Sequence, residues 1–158
     1  MKKRNPIYLV LDDIRSLGNV GAIFRTSEGV LVKKLYLCGI TGRPPRQEIE
    51  KTALKTTKLV PWEYQSNALK VVRELKKEGV FIISLELTPQ SVDYTKAQYQ
   101  FPLCLVVGNE IGGIKKEILD ESDLIVKIPI LGQIKSLNVA TAYGLAVYEI
   151  LKQLNYKK

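Results

Sequence analysis

The chain has 158 residues, 46% of them hydrophobic, with 24 Lys/Arg against 16 Asp/Glu and a formal charge of +8, a length and balance that suit one compact domain over 1–158 with its own core. Histidine is absent and neither Cys38 nor Cys104 has a CxxC partner, which excludes His-based triads and His-ligated metals and leaves no zinc, dithiol or disulfide framework to expect. Only short apolar runs follow the basic N-terminus, so we expect no secretory signal, no membrane span and a reducing, cytoplasmic setting.

Strand-like and helix-like patterns alternate along the chain. Ile7–Leu11 is a continuous apolar run that ends in Asp12 and Asp13. From Val20 to Val30 the spacing is helical, with Val20, Ile23, Phe24 and Ser27 on one stripe. Leu35–Cys38 reads as a short strand, 41–47 as a loop and Ile49–Thr56 as a short helix. Leu59–Tyr64 is a weak strand whose Pro61 assigns it to an edge. Ala68–Glu78 is a helix with Leu69, Val72 and Leu75 inward and Lys70, Arg73, Lys76 and Lys77 outward, ended by Gly79.

Val80–Leu85 and Leu103–Val107 read as buried strands, Lys115–Glu121 as a short helix and Leu124–Ile128 as a further strand. The last helix runs from about Asn138 to Leu154 on an i, i+3, i+4 apolar stripe. Continuously apolar strands are covered on both faces. Their alternation with helices predicts an α/β fold, a mostly parallel sheet flanked by helices.

Charge divides the chain. Residues 1–80 hold 16 Lys/Arg and 8 Asp/Glu, whereas 81–158 hold 8 of each. A basic half points to an anionic partner, of which nucleic acid is the commonest, or else to a merely soluble surface. The RNA-contacting candidates are Arg15, Arg43, Arg46, Lys51 and Lys55, with Lys2, Lys3, Arg4 and Lys58 around them.

Ligands of open α/β sheets bind beyond the carboxyl ends of the strands. Three such ends here carry polar or Gly-rich sequence: 12–21 (DDIRSLGNVG), 108–113 (GNEIGG) and 129–138 (PILGQIKSLN). In the first, Asn19 stands where a helix N-cap belongs, and Arg25 lies on a small-residue face with Ala22, Thr26 and Gly29. Asn19 is either a cap or a site residue, and Arg25 either a solvated cation or a ligand group. The second loop is either a plain turn or a close approach of backbone to a ligand, with Glu110 placed to orient a hydroxyl or amine. In the third, Ser136 or Asn138 either caps the last helix or faces the same ligand.

Together these loops resemble the three motifs of the SpoU/TrmH branch of the SPOUT RNA methyltransferases. NVGAIFRTSEGV is similar to the first motif, LVVGNEIGGI to the second and IPILGQIKSLNVATAYGLAVYEI to the third, and the resemblance spans residues 7 to about 154. It implies S-adenosylmethionine-dependent methylation of RNA, mostly at ribose 2′-oxygens of tRNA or rRNA. It also implies a C-terminal trefoil knot that holds the cofactor, and a homodimer in which the partner chain completes each site. Asn19, Arg25, Glu110, Ser136 and Asn138 would then surround the methyl-transfer centre. Cofactor contacts would come from Leu85 to Thr88, from Leu105 through Gly108 to Asn109, from Ile128 to Ile130, and from Ser136, Leu137 and Asn138. The stretch 51–59 (KTALKTTKL) departs from many relatives, which carry a Gly-containing turn there.

An Arg stays protonated in proteins, so on this reading Arg25 stabilises a 2′-oxyanion or binds a phosphate rather than acting as base. The proton would pass to Glu110, a substrate phosphate or water, and no metal is called for. The alternatives are a non-catalytic RNA-binding module that keeps the fold, and a flavodoxin-like or dinucleotide-binding domain. The lack of GxGxxG weakens the dinucleotide version of the latter.

Overall fold

The computed structural model describes residues 2–154. Seven strands form one sheet: β1 (Asn5–Asp12), β2 (Val32–Cys38), β3 (Trp62–Gln65), β4 (Phe81–Leu85), β5 (Val92–Asp93), β6 (Leu103–Val107) and β7 (Leu124–Lys127). Their order is β3-β2-β1-β6-β4-β7-β5, and every pairing is parallel. β3 is an edge strand, but it begins only at Trp62: Pro61, with Leu59 and Val60 of the strand expected over Leu59–Tyr64, lies ahead of it. β6 sits between β1 and β4, and β7 between β4 and β5, so each enters between strands that precede it in the chain.

Both faces are covered, which is why the strands read as unbroken apolar runs; all five residues of β6 are buried. On one face Leu9, Leu11, Leu35, Leu37 and Leu105 pack against α1 (Leu17–Gly29), α2 (Gln47–Ala53) and α5 (Val139–Gln153). On the other, Val10, Cys38, Cys104 and Val106 meet α3 (Ala68–Lys77) and α4 (Lys116–Glu121). Both cysteines are free and buried; burial, and after it the Asp12 charge, pushes the Cys38 thiol up to about 12. No helix among the described residues is long and apolar enough to cross a membrane.

Two close contacts seat α1. Gly21 lies against α2, where a methyl group would run into Thr52 and the Ile49 carbonyl. On the α5 side, the buried Tyr143 hydroxyl and Ser27 Oγ share a 2.7 Å hydrogen bond.

Several expectations need correction. Asn19 is not the cap of α1: Ser16 is, its hydroxyl accepting the Asn19 N–H, because a serine three residues ahead of that amide fills the cap position first. In α3 the buried positions are Ala68, Val71, Val72 and Leu75, while Leu69 is only half-buried. The helix expected over 49–56 runs over Gln47–Ala53 instead and stops where Leu54 and Lys55 turn left-handed, at φ 49° and 69°. The turn is thus made by two non-glycine residues with positive φ. β5 is too short for any periodicity to announce it.

Candidate functional site

In a parallel sheet all carboxyl ends lie at one edge. The loops after β1, β4, β6 and β7 therefore gather there. Hydrogen bonds join three of them. Glu110, in the loop after β6, accepts the main-chain N–H of Arg15 (2.9 Å) on Oε2 and that of Ser16 (3.0 Å) on Oε1. The Asn19 side-chain amide also donates to Oε1 (3.2 Å). Asn138 donates to Asn19 Oδ1 at 3.0 Å, while its own Oδ1 accepts Ala140 N and Thr141 N as the cap of α5.

The chain Glu110–Asn19–Asn138 thus ties the three motif loops together and satisfies the open N–H groups at the start of α5 and just ahead of α1. Asn19 is free for this because Ser16 does the capping. Burial pushes the Glu110 carboxyl up, but the Arg15 and Ser16 N–H groups and the Asn19 amide outweigh it and hold the group below its ordinary range.

A second set of contacts holds the loop from the β1 side. Asn109 donates to the Asp13 carbonyl (2.8 Å) and accepts Ile111 N and Gly112 N. Lys115 lies 3.1 Å from Asp13 Oδ2 and 3.6 Å from Asp12 Oδ1. Burial pushes the Asp12 carboxyl up, while the Ile40 N–H, with Lys115 adding to it, holds Asp13 down.

Beside this frame opens a cavity of about 480 Å³, lined by the ends of β4, β6 and β7 and by the segment leading into α5. Leu85, Gly108, Asn109, Ile128, Ile130, Ser136 and Leu137, expected as cofactor contacts, all line it. Gly108 must lack a side chain, since a Cβ there would sit 2.6 Å from the Gly113 carbonyl. Thr88 does not line the cavity. Its hydroxyl and N–H are both bonded to Ser91 Oγ, in a turn beyond the end of β4. Asn138 is not a lining residue either; it caps the helix between two that are, Leu137 and Val139.

The sequence reading overlooked Glu86. Its carboxylate lines the cavity and accepts Leu87 N (3.0 Å) and Ile114 N (2.8 Å), bracing the glycine turn of the neighbouring loop. An acid at the end of a buried strand was the signal that could have singled it out.

Of the five residues assigned to the reaction centre, the structure joins Asn19, Glu110 and Asn138 directly and leaves Ser136 exposed at the cavity rim. It does not bring Arg25 to them. Arg25 is exposed on α1 six residues beyond Asn19, about 9 Å along the axis, and has no hydrogen-bond or ion-pair partner among the described residues.

The basic candidates Arg15, Arg43, Arg46, Lys51 and Lys55 are all exposed, as are Lys2, Lys3 and Lys58. Arg4 drops out of that group, because its guanidinium is spent on Glu28 and on the carbonyls of Val32 and Leu59.

The model of the SpoU rRNA Methylase family matches residues 6–148. The chain is 31% identical over 156 residues to the tRNA (guanosine(18)-2′-O)-methyltransferase of Aquifex aeolicus, a match covering 99% of this chain and 74% of that one. It is 26% identical to the putative TrmH family tRNA/rRNA methyltransferase YacO of Bacillus subtilis, covering 98% of this chain and 61% of the relative. Among solved structures, the A. aeolicus TrmH/SpoU tRNA modifying enzyme superposes with a TM-score of 0.89 at 32% identity, over 98% of this chain and 78% of that one. The AdoMet-bound rRNA methyltransferase of Sinorhizobium meliloti gives 0.88 at 29% identity, over 96% of this chain and 58% of that one. The chain therefore spans between 58% and 78% of the length of these relatives. On the match over residues 6–148, and on a fold shared with the A. aeolicus enzyme, the chain belongs to the SpoU rRNA Methylase family.

Proposed function

We propose that this protein transfers a methyl group from S-adenosylmethionine to a ribose 2′-hydroxyl of tRNA or rRNA. The observation that carries the reading is the cavity at the sheet edge, walled by the second and third motif loops and joined to the first through Glu110, Asn19 and Asn138.

The cavity residues fit the cofactor. The volume lies within the roughly 300–1,000 Å³ of small-molecule sites. Leu85, Val107, Ile128, Ile130 and Leu137 offer apolar walls for an adenine ring, and the glycine turn brings backbone close. Glu86 and Glu110 place two carboxylates at the wall of a site for a ligand with an ammonium and a sulfonium.

The cofactor supplies a methyl on a positive sulfonium, ready for displacement by an oxygen. The chain's own residues must align that oxygen, and alignment contributes roughly 7–11 kcal/mol in well-oriented reactions. Asn19 and Asn138 fix the relative position of α1 and the cofactor loops. Glu110 works as a positioning group rather than as proton acceptor, since three donors occupy its carboxylate and hold its pKa down. The proton then goes to a substrate phosphate or to water. Arg25 binds phosphate and stabilises the developing 2′-oxyanion.

Arg25 needs surroundings that one chain does not supply, which favours a homodimer. Its face of α1 adjoins the outward face of α5, where Leu145 and Tyr148 are exposed and space lies open beside Gly144. A second copy docked there would bring Arg25 toward the partner's cavity. Light scattering should give twice the chain mass, and an active monomer at micromolar concentration would contradict it. The insertion of β6 and β7 between earlier strands supports a trefoil knot, and the two free buried thiols suit a cytoplasmic setting. The whole chain, as one domain, carries out the reaction.

The test is incubation with methyl-labelled S-adenosylmethionine and total tRNA and rRNA, followed by nucleoside mass spectrometry. Label on 2′-O-methylated nucleosides is expected. RNA that stays unlabelled would favour the non-catalytic module, and label on bases alone would overturn the ribose assignment.

A further inference from the structure

The loop between β2 and α2 holds an arrangement that the methyl-transfer chemistry does not use. Arg43 sits over the Tyr64 ring, its guanidinium carbon 4.0 Å from the ring centroid. Tyr64 is itself fixed at the end of β3 by donating its hydroxyl to the Gly39 carbonyl (2.8 Å). Arg43 is exposed, so its guanidinium is reachable from solvent while it sits over the ring. In the same loop the side chain of Ile40 is 65% exposed, an apolar group held out into water.

The loop that carries them is clamped. Ile40 N donates to Asp13 Oδ1, and Thr41 Oγ1 donates to the Leu11 carbonyl and accepts Ile14 N. Gly39 takes a left-handed φ of 64° and donates to the Gln65 carbonyl. Gly42 abuts Leu17, the first residue of α1. The Arg–Tyr pair therefore stands next to the first turn of α1, the turn that contains Asn19.

Resting on the reading of the protein as an RNA methyltransferase, we propose that the Arg43–Tyr64 stack, flanked by Ile40, is a platform for an unpaired base of the substrate next to the nucleotide being methylated. Bases of loops and bulges stack on guanidinium planes and aromatic rings, whereas bases inside a duplex have no free face to offer. A stack already formed in the free protein costs little ordering when the base arrives. The surrounding charge is suitable, because the excess of +8 lies in residues 1–80. The substrate nucleotide accordingly sits in a loop or another single-stranded stretch rather than in a helix.

Arg43→Lys separates this platform from a simple phosphate contact, since lysine keeps the charge and loses the plane. The probes are a fluorescein-labelled oligo(A) dodecamer and a 12-base-pair RNA duplex, with KM for unfractionated tRNA read in parallel. Arg43→Lys and Arg43→Ala should each weaken oligo(A) binding by about 5- to 150-fold, the range for one base stack. Lysine should keep the salt slope and the duplex affinity, and KM for tRNA should rise more than kcat falls. Tyr64→Leu should behave like Arg43→Ala, with circular dichroism confirming that it folds. Wild-type affinity in Arg43→Lys would overturn the platform and leave a phosphate contact. Unchanged KM in all three variants, beside normal methyl transfer, would overturn it while the RNA methyltransferase reading stands. Failure of the wild-type protein to bind either probe or tRNA would overturn both.

Discussion

The two parts of α1 face different surroundings. Its first turn is held by partners: Ser16 caps it, Glu110 takes the Asn19 side chain and the two N–H groups just ahead of the helix, and Asn138 reaches across from α5. Less than two turns on, the outward face with Ala22, Arg25 and Gly29 has exposed positions at Arg25 and Gly29, and Arg25 has no partner among the described residues. The difference separates two tasks that one motif carries. The held end positions the loops, and the free face leaves the Arg25 charge without a partner among the described residues.

The largest effect should come from the free face. If Arg25 stabilises charge on the reacting oxygen, Arg25→Ala should lower the single-turnover rate by about 10²–10³ while calorimetry shows normal cofactor affinity. Arg25→Lys should rescue little, because a point charge on a flexible stem does not reproduce a planar fork. A near wild-type rate would leave Arg25 as a solvated surface group and remove the contrast.

At the held end, Glu110→Gln should cost about 1.5–3 kcal/mol of stability, the range for hydrogen bonds to a charged group. Urea unfolding would read it. The same substitution predicts a pH signature. The Glu110 carboxyl is held below its ordinary 4.5, so its stabilisation is complete above that value and is lost as pH falls through the lowered one. As pH falls from above 4.5 through the lowered value, the gap in Tm between wild type and variant should therefore close. A gap that widened on acidification would contradict the assignment.

Asn138→Ala removes a cap and a cross-link, and should cost about 1 kcal/mol. It should also weaken cofactor binding, because Leu137 and Val139 on either side line the cavity. Thr88→Ala should do least, leaving cofactor affinity within about twofold by calorimetry, since Thr88 belongs to the Ser91 turn and not to the cavity wall.

Much of this was legible in the sequence. The alternation of apolar strands with amphipathic helices implied the layered parallel sheet, because burial on both faces leaves unbroken runs such as Leu103–Val107. Polar and glycine-rich loops at carboxyl ends implied one rim. The strand order was not legible: inserting β6 beside β1 depends on contacts distant in sequence, and no local pattern encodes them. The cap of α1 was misassigned because Ser16 and Asn19 are both good capping residues, and only the path of the backbone chooses between them. Glu86 and Tyr64 escaped notice because their importance lies in what they touch, a glycine turn and an arginine plane from other parts of the chain.

A pair of double-mutant cycles on stability, run at one fixed protein concentration, tests most directly whether the two parts of α1 are distinct. Asn19→Ala and Glu110→Gln remove two ends of one hydrogen-bonded contact, so their effects should fall short of or exceed additivity by about 0.5–3 kcal/mol. Arg25→Ala and Glu110→Gln act on groups that share no hydrogen-bond partner among the described residues and should add to within about 0.5 kcal/mol. Additivity in the first cycle, or coupling in the second as large as in the first, would contradict the division of the helix into a held end and a free face.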